Sequence, residues 1–359
     1  ASLGRARLPA AAGLLLAPLQ SCTSQLRAYC ELAATGGAAA AAQAGASVHS
    51  LASLHEQCDC LVRCIGHLIA DEPAHGETLE PPPEAAVLDE GSAAAPDATQ
   101  GAGSTPVGRL SDAVTELMRL QMTAITSYES SPDASPLSAA LSPVLATTLL
   151  WFLRRFASTY LMPDEATCTV LFPPFLSQWG ADTQGATALL SLCVDASAVY
   201  LLRWSSEQDT AAEACELLAA LARLRAPRRG PAQMLSNLPA WQSLARCDPS
   251  ALKGASQRKL LEALCRAAAA IGNDARRDST LRELIAPLAA RLHAVASRCA
   301  AGAQPLAGGG LDPHAASGEA ALSRGSRYPS LHRPDVMLEV RACCGGLCGA
   351  GLSCGRESV

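Results

Sequence analysis

The stretch DTQGATALLSLCVDASAVYLLRWSSEQDTAAEACELLAALARLR (residues 182–225) decides the fold class. It contains two segments, 182–203 and 206–225, in which alanine and leucine dominate, and both residues are strong helix formers. A short connection separates the two segments, and short connections favour antiparallel helix pairs. Residues 182–225 therefore predict two helices that pack side by side.

The same pattern continues on both sides of this pair. Hydrophobic periodicity and flanking prolines and glycines predict further helices at 51–70, 107–128, 137–161, 164–172, 231–246, 256–272 and 279–299. Ser111 is the predicted N-cap of the helix at 107–128. β-Branched and aromatic residues are scarce, which disfavours a β-sandwich or barrel.

These helices have the spacing of a repeat array. Helix pairs that recur every ~40 residues are typical of HEAT and armadillo proteins. The spacing is compatible with three successive units, at 137–179, 182–225 and 231–272. We therefore predict an all-α protein, an α-solenoid of HEAT-type helix pairs that forms part of a superhelix. A compact helical bundle is the structural alternative.

Composition divides the chain into three regions. We expect a helical, alanine-rich low-complexity region at 1–50, a repeat segment at 51–300 with a flexible acidic loop at 73–106, and a disordered low-complexity tail at 301–359. Residues 8–19 mimic the apolar core of a signal peptide, but Pro9 and Pro18 interrupt the run. The first residue is alanine rather than methionine, and we expect the chain to be a fragment.

Overall composition excludes several classes of partner. The 359 residues are 49% hydrophobic and 17% charged, with a net charge of −5. A protein that binds duplex DNA normally carries a basic stripe, and none dominates here. No uninterrupted apolar stretch reaches the length of a membrane span. We expect neither nucleic acid nor a membrane among the partners.

Fifteen cysteines would suit a disulfide scaffold, but their positions do not. Eleven are scattered singly or at helical spacing, and most of these stand where a small buried apolar residue would, which favours a reducing compartment. Cys58, Cys60 and Cys64 lie on one predicted helix. Residues two apart on a helix point about 200° from each other, so Cys58 and Cys60 cannot share a metal ion. We expect no metal or other cofactor.

Catalytic motifs in a fitting context are also missing from the sequence. The one match to the G-x-S-x-G nucleophile elbow, GLSCG (351–355), lies in the predicted low-complexity tail, where no strand-to-helix turn is expected. The sequence contains no phosphate-binding P-loop, and the seven histidines follow no recognised catalytic spacing. We therefore expect a non-catalytic protein. A small helical enzyme is a rival interpretation, and it would need polar side chains that converge in a pocket.

Charge is concentrated at two places. Acidic residues crowd the end of the helix at 51–70 and the loop after it, and the candidate partner-binding residues there are Asp71, Glu72, Glu77, Glu80 and Glu84. A solvated acidic loop is the plain interpretation, and long-range steering of a basic partner is the functional one. Arginines form a small basic patch at Arg223, Arg225, Arg228 and Arg229, where they also suit the C-terminal dipole of a helix.

Several segments resemble known proteins. The segment WFLRRFASTYLMPDE (151–165), followed by GADTQG (180–185) and WSSEQD (204–209), resembles nuclear export receptors of the importin-β (karyopherin) superfamily. The stretch LHEQCDCLVRCIGHLIADEPAHGETLEPPPE (54–84) resembles another part of the same receptors, in the same order. QRKLLEALCRAAA (257–269) and LIAPLAARLHAV (284–295) continue the similarity, which covers roughly residues 51–298.

This resemblance implies a superhelix of HEAT repeats that shuttles between nucleus and cytoplasm through the nuclear pore. It implies protein cargo such as translation factor 5A or Smad-type proteins, with nucleoporins and the GTP form of the Ran GTPase as further partners. These receptors are much longer than this chain, and their Ran-gripping N-terminal repeats are not recognisable in it. A HEAT-repeat scaffold of a cytoplasmic complex unrelated to transport is the alternative function.

Overall fold

The structure is a computed structural model that describes residues 2–43, 48–71, 82, 105–130, 135–163, 173–224, 231–247, 252 and 254–302. The predicted helix at 164–172 lies outside these residues, as do nearly all of the predicted loop at 73–106 and the tail from residue 303 onward.

The described residues form helices and turns, and no strand occurs among them. The helices are α1 (Ser2–Arg5), α2 (Leu8–Gln43), α3 (Val48–Ile69), α4 (Pro106–Ser130), α5 (Ser135–Ser138), α6 (Pro143–Tyr160), α7 (Pro173–Trp179), α8 (Gln184–Arg203), α9 (Gln208–Arg223), α10 (Pro231–Leu235), α11 (Pro239–Arg246), α12 (Gly254–Ala269) and α13 (Asp274–Gly302). The prediction of an all-α protein is confirmed for this part of the chain.

Prolines and polar caps set several helix starts. Pro143 opens α6, and the Ser142 side chain accepts a hydrogen bond from the Leu145 backbone N–H. The single helix predicted over 137–161 is therefore wrong, because Pro143 begins a new helix. Pro239 divides the predicted helix at 231–246 in the same way, into α10 and α11.

The N-cap predicted for α4 is also wrong. Ser111 lies inside the helix and donates to the carbonyl of Gly108 at 2.8 Å. Thr105 performs the capping instead, since its hydroxyl accepts from the Gly108 N–H at 3.0 Å. The helix starts at Pro106, whereas a Ser111 cap would place its first residue at Asp112.

Helix α2 is longer than the apolar run and alanine-rich tract suggested. It extends from Leu8 to Gln43 as one helix with Pro18 inside. Pro9 stands in the first turn, where its missing N–H costs no helical hydrogen bond. Leu8, Leu19 and Leu26 are fully buried against neighbouring helices, and this tertiary packing offsets the interruption at Pro18.

The long helices form two rows. The first row consists of α3, α6, α9 and α12, and each contacts the next in that order. The second row consists of α2, α4, α8 and α11, which also contact one another in order. Contacts between α2 and α3, α4 and α6, and α8 and α9 join the two rows. One continuous hydrophobic cluster fills the space between them.

Helix α8 illustrates how apolar the centre of this arrangement is. Within the described ranges it is the one helix with the length and apolar composition to cross a membrane. Because 61% of its apolar window is buried inside the fold, it matches the core helix of a packed helical array equally well.

Candidate partner-binding surface

The accessible side of the first row carries polar contacts between successive helices. Arg63 of α3 donates to the Thr148 hydroxyl of α6 at 2.8 Å, and that hydroxyl donates to Asp59 of α3. Arg154 of α6 pairs with Glu213 of α9 at 2.5 Å. These contacts fix the lateral spacing of the first three helices.

The same arrangement joins α9 to α12. Arg223 Nη2 lies 2.9 Å from the Glu262 carboxylate, which also accepts from Arg266 at 3.0 Å. Lys259 pairs with Glu216 nearby. Ion pairs therefore join α6 to α9 and α9 to α12, whereas α3 and α6 are joined through the Thr148 hydroxyl. Side chains of both charges take part in these contacts.

The carboxyl end of α3 is held by side chains from two other helices. Arg5 Nε, Tyr160 Oη and Arg155 Nη2 donate to the carbonyl oxygens of Leu68, Ile69 and Ala70 at 2.9, 2.6 and 2.7 Å, respectively. The last carbonyls of a helix lack partners within the helix, so these donors satisfy groups that would otherwise be buried without a hydrogen bond. We call this place the α3–α6 junction.

A close approach of backbone and ring reinforces the α3–α6 junction. A Cβ atom at Gly66 would lie 2.6 Å from Trp151 Cζ3, far inside van der Waals contact, so only glycine fits the existing arrangement. The Trp151 ring is held between His67, at a ring-centroid distance of 5.1 Å, and the Arg155 guanidinium, 4.8 Å from its centroid.

The structure places one of the five predicted acidic residues at this junction. Asp71 pairs with Arg5 at 2.7 Å, and its side chain is 60% exposed. Glu72, Glu77, Glu80 and Glu84 lie outside the described residues. Asp71 thus has an intramolecular partner at the end of α3, an arrangement that the sequence did not predict.

The structure describes one of the four arginines of the predicted basic patch. Arg223 stands in the last turn of α9, where its charge suits the helix dipole, and it pairs with Glu262 of α12. Arg225, Arg228 and Arg229 lie outside the described residues.

The four tryptophans pack in or against the hydrophobic cluster. Trp179 and Trp241 are each 4% exposed, whereas Trp151 and Trp204 are partly buried against the same cluster. Trp179 belongs to an aromatic group at the end of α6, where its ring meets Phe156 edge-on at 5.1 Å. These positions favour a packing role over a ligand cage.

Six cysteines behave as buried apolar side chains, as expected: Cys22, Cys30, Cys58, Cys193, Cys215 and Cys265. Burial raises the pKa of the Cys58 thiol to about 12, so this thiol stays protonated at neutral pH. Cys60 and Cys64 are exposed on the opposite side of α3. The divergence of Cys58 and Cys60 is therefore confirmed.

Cys60 and Cys64 line a groove that the sequence did not reveal. The groove is about 850 Å³ in volume and lies between α2 and α3. Leu14 and Leu15 form its apolar wall, while Asp59, Arg63 and His67 join the two cysteines on α3. The four-residue spacing of Cys60 and Cys64 was the signal that could have placed both thiols on one face.

No group of three or more His, Cys, Asp or Glu residues in the described part of the chain is arranged to hold a metal ion. No protein-family model matches this chain.

Proposed function

We propose that this chain is part of an exportin-4-like nuclear transport receptor of the importin-β superfamily. In this proposal it carries protein cargo from nucleus to cytoplasm together with Ran in its GTP form, and it acts by binding rather than catalysis. Translation factor 5A and Smad-type proteins are the proposed classes of cargo, and nucleoporins are the proposed contacts during passage through the nuclear pore.

The observation that carries this proposal is the α3–α6 junction. The two segments that most resemble the export receptors, 54–84 and 151–165, are distant in sequence. Their described parts pack together, with Trp151 on Gly66 and the Tyr160 hydroxyl 2.6 Å from the Ile69 carbonyl oxygen. If both segments derive from one family of folds, their matching residues are expected to pack against each other.

The two rows of helices support the finer proposal of a HEAT-type α-solenoid. Consecutive long helices alternate between the rows, as α2 and α3, α4 and α6, and α8 and α9 do. A stack of this kind has each unit contacting its neighbours, which is the property that defines solenoid proteins. In this assignment α6 pairs with α4 rather than with α7, so the first unit begins before residue 137.

The accessible side of the first row is the proposed partner surface. Its successive ion pairs hold the helices at fixed spacing and present both signs of charge. Such a surface suits a folded protein partner that makes many modest contacts. The acidic residues Asp71, Glu72, Glu77, Glu80 and Glu84 would add long-range attraction for a basic partner.

A pull-down with Ran tests the proposal. The full-length gene product is immobilised and exposed to Ran loaded with GTP or with GDP at equal concentration. Retention of the GTP form alone would support a transport receptor. Equal retention of both forms, or retention of neither, would instead favour the HEAT-repeat scaffold of a cytoplasmic complex.

A further inference from the structure

Helix α3 presents two thiols one turn apart on its exposed face. Cys60 and Cys64 are both exposed, and both line the same groove. Residues four apart on a helix have Cβ atoms about 5–6 Å apart, so the two sulfur atoms can approach a common point in front of the helix. Cys58, on the other side of α3, takes no part because it is fully buried.

The two thiols lie in a shallow, open groove between α2 and α3. Leu14 and Leu15 of α2 stand across from the two thiols in the 850 Å³ groove. Arg63, which is between the two cysteines in sequence, lines the same groove and supplies a positive charge. Thiolate sulfur next to apolar side chains and a cation is an environment that suits soft metal ions.

We propose that Cys60 and Cys64 together bind one Cu⁺ ion as a two-coordinate dithiolate site. Each thiol loses its proton to solvent and forms one S–Cu bond, and no oxidation or reduction takes place. The resulting complex carries one net negative charge, which Arg63 of the same groove compensates only in part because it already pairs with Asp59. Soft thiolate ligands favour Cu⁺ and Zn²⁺ over hard cations such as Mg²⁺ and Ca²⁺.

The coordination number favours Cu⁺ over Zn²⁺. Structural zinc sites have four protein ligands, whereas no group of three His, Cys, Asp or Glu residues in the described ranges is placed to share an ion. The Asp59 carboxylate is already engaged by Arg63 and Thr148, and the His67 ring packs on Trp151 at 5.1 Å. Two thiolates without a third ligand match the linear geometry that Cu⁺ accepts.

A competition titration tests this site. The reduced full chain is titrated without oxygen against the coloured Cu⁺ complex of bathocuproine disulfonate, and the number of Cu⁺ ions withdrawn from the chelator is counted. Cys60→Ser and Cys64→Ser are each expected to withdraw one ion fewer than the unaltered chain. The double variant is expected to lose the same single ion, because both thiolates serve one site.

Cys30→Ser is the matched control, since it removes a described thiol from outside the α3 face, and it is expected to withdraw the full number of ions. Either of two results would overturn the proposal: an unchanged count in Cys60→Ser or Cys64→Ser, or a loss of two ions in the double variant. Far-ultraviolet circular dichroism of each variant verifies that the helices are intact, which the exposure of both cysteines leads us to expect.

Discussion

Replacement of Gly66 by alanine tests the packing of the α3–α6 junction. The added Cβ would lie 2.6 Å from Trp151 Cζ3 and 2.8 Å from Cη2, whereas carbon atoms in contact are normally ~3.5–4.0 Å apart. The indole ring is rigid and is held between His67 and Arg155, so it cannot move aside without loss of those contacts. Such overpacking typically costs about 1–3 kcal/mol.

A second effect of opposite sign accompanies the clash. Alanine is favoured over glycine in a helix interior by about 1 kcal/mol, because glycine loses more backbone entropy on folding. Gly66→Ala should therefore lower the free energy of unfolding by up to about 2 kcal/mol. Gly13→Ala in α2 is the matched control, since Gly13 is exposed and nothing lies within 4 Å of its added Cβ. It should raise the free energy of unfolding by about 1 kcal/mol.

Urea denaturation at 25 °C measures both variants, and the difference between them isolates the clash at about 1–3 kcal/mol. In a Trp151→Ala background the ring is absent, so Gly66→Ala should become stabilising like Gly13→Ala. If Gly66→Ala and Gly13→Ala stabilise the protein equally, the close approach of Gly66 and Trp151 is wrong. A clash that persists in the Trp151→Ala background would contradict its assignment to that ring.

Two further substitutions have defined outcomes. Tyr160→Phe removes the buried hydroxyl that donates to Ile69 at 2.6 Å, and it should cost about 1–3 kcal/mol in urea denaturation, whereas Tyr128→Phe in α4, whose ring is only partly buried, should cost less. Equal costs would count against the Tyr160 bond. Burial lowers the pKa of His55 below its ordinary value. As pH falls through about 6.5, the unfolded state therefore binds more protons than the folded state, and the free energy of unfolding decreases. His55→Gln, which can still donate to Ala140, should lose less stability than the unaltered chain between about pH 7.5 and 5.5, and an identical loss would refute this role.

Local sequence patterns predicted much of the helical structure. The helix predicted at 182–203 is α8, Gln184–Arg203, because Thr183 caps it through the Ala186 N–H and its apolar residues recur with helical period. Proline was the weakest guide. Pro18 interrupts an apolar run in the sequence yet lies within a helix, whereas Pro143 lies inside a predicted helix yet begins one. Whether a proline lies within a helix or begins one depends on packing against distant residues, and a local sequence pattern carries no information about that packing.

The α3–α6 junction could be predicted only in part. The sequence indicated that Asp71 ends the helix, but its partner Arg5 stands 66 residues earlier, and no periodicity connects them. The Gly66–Trp151 contact likewise joins two helices across a long separation. The groove beside Cys60 and Cys64 depends on where α2 lies relative to α3, which follows from the tertiary arrangement alone.

The most direct test of the proposed transport function is the coupling between cargo and Ran. The dissociation constant of translation factor 5A from the full-length product is measured with saturating Ran in its GTP form, in its GDP form, and without Ran. Typical coupling free energies of 1–3 kcal/mol correspond to an affinity change of about 5–150-fold. A transport receptor predicts tighter cargo binding by a factor in this range with the GTP form alone, and equal cargo affinity under all three conditions would contradict it.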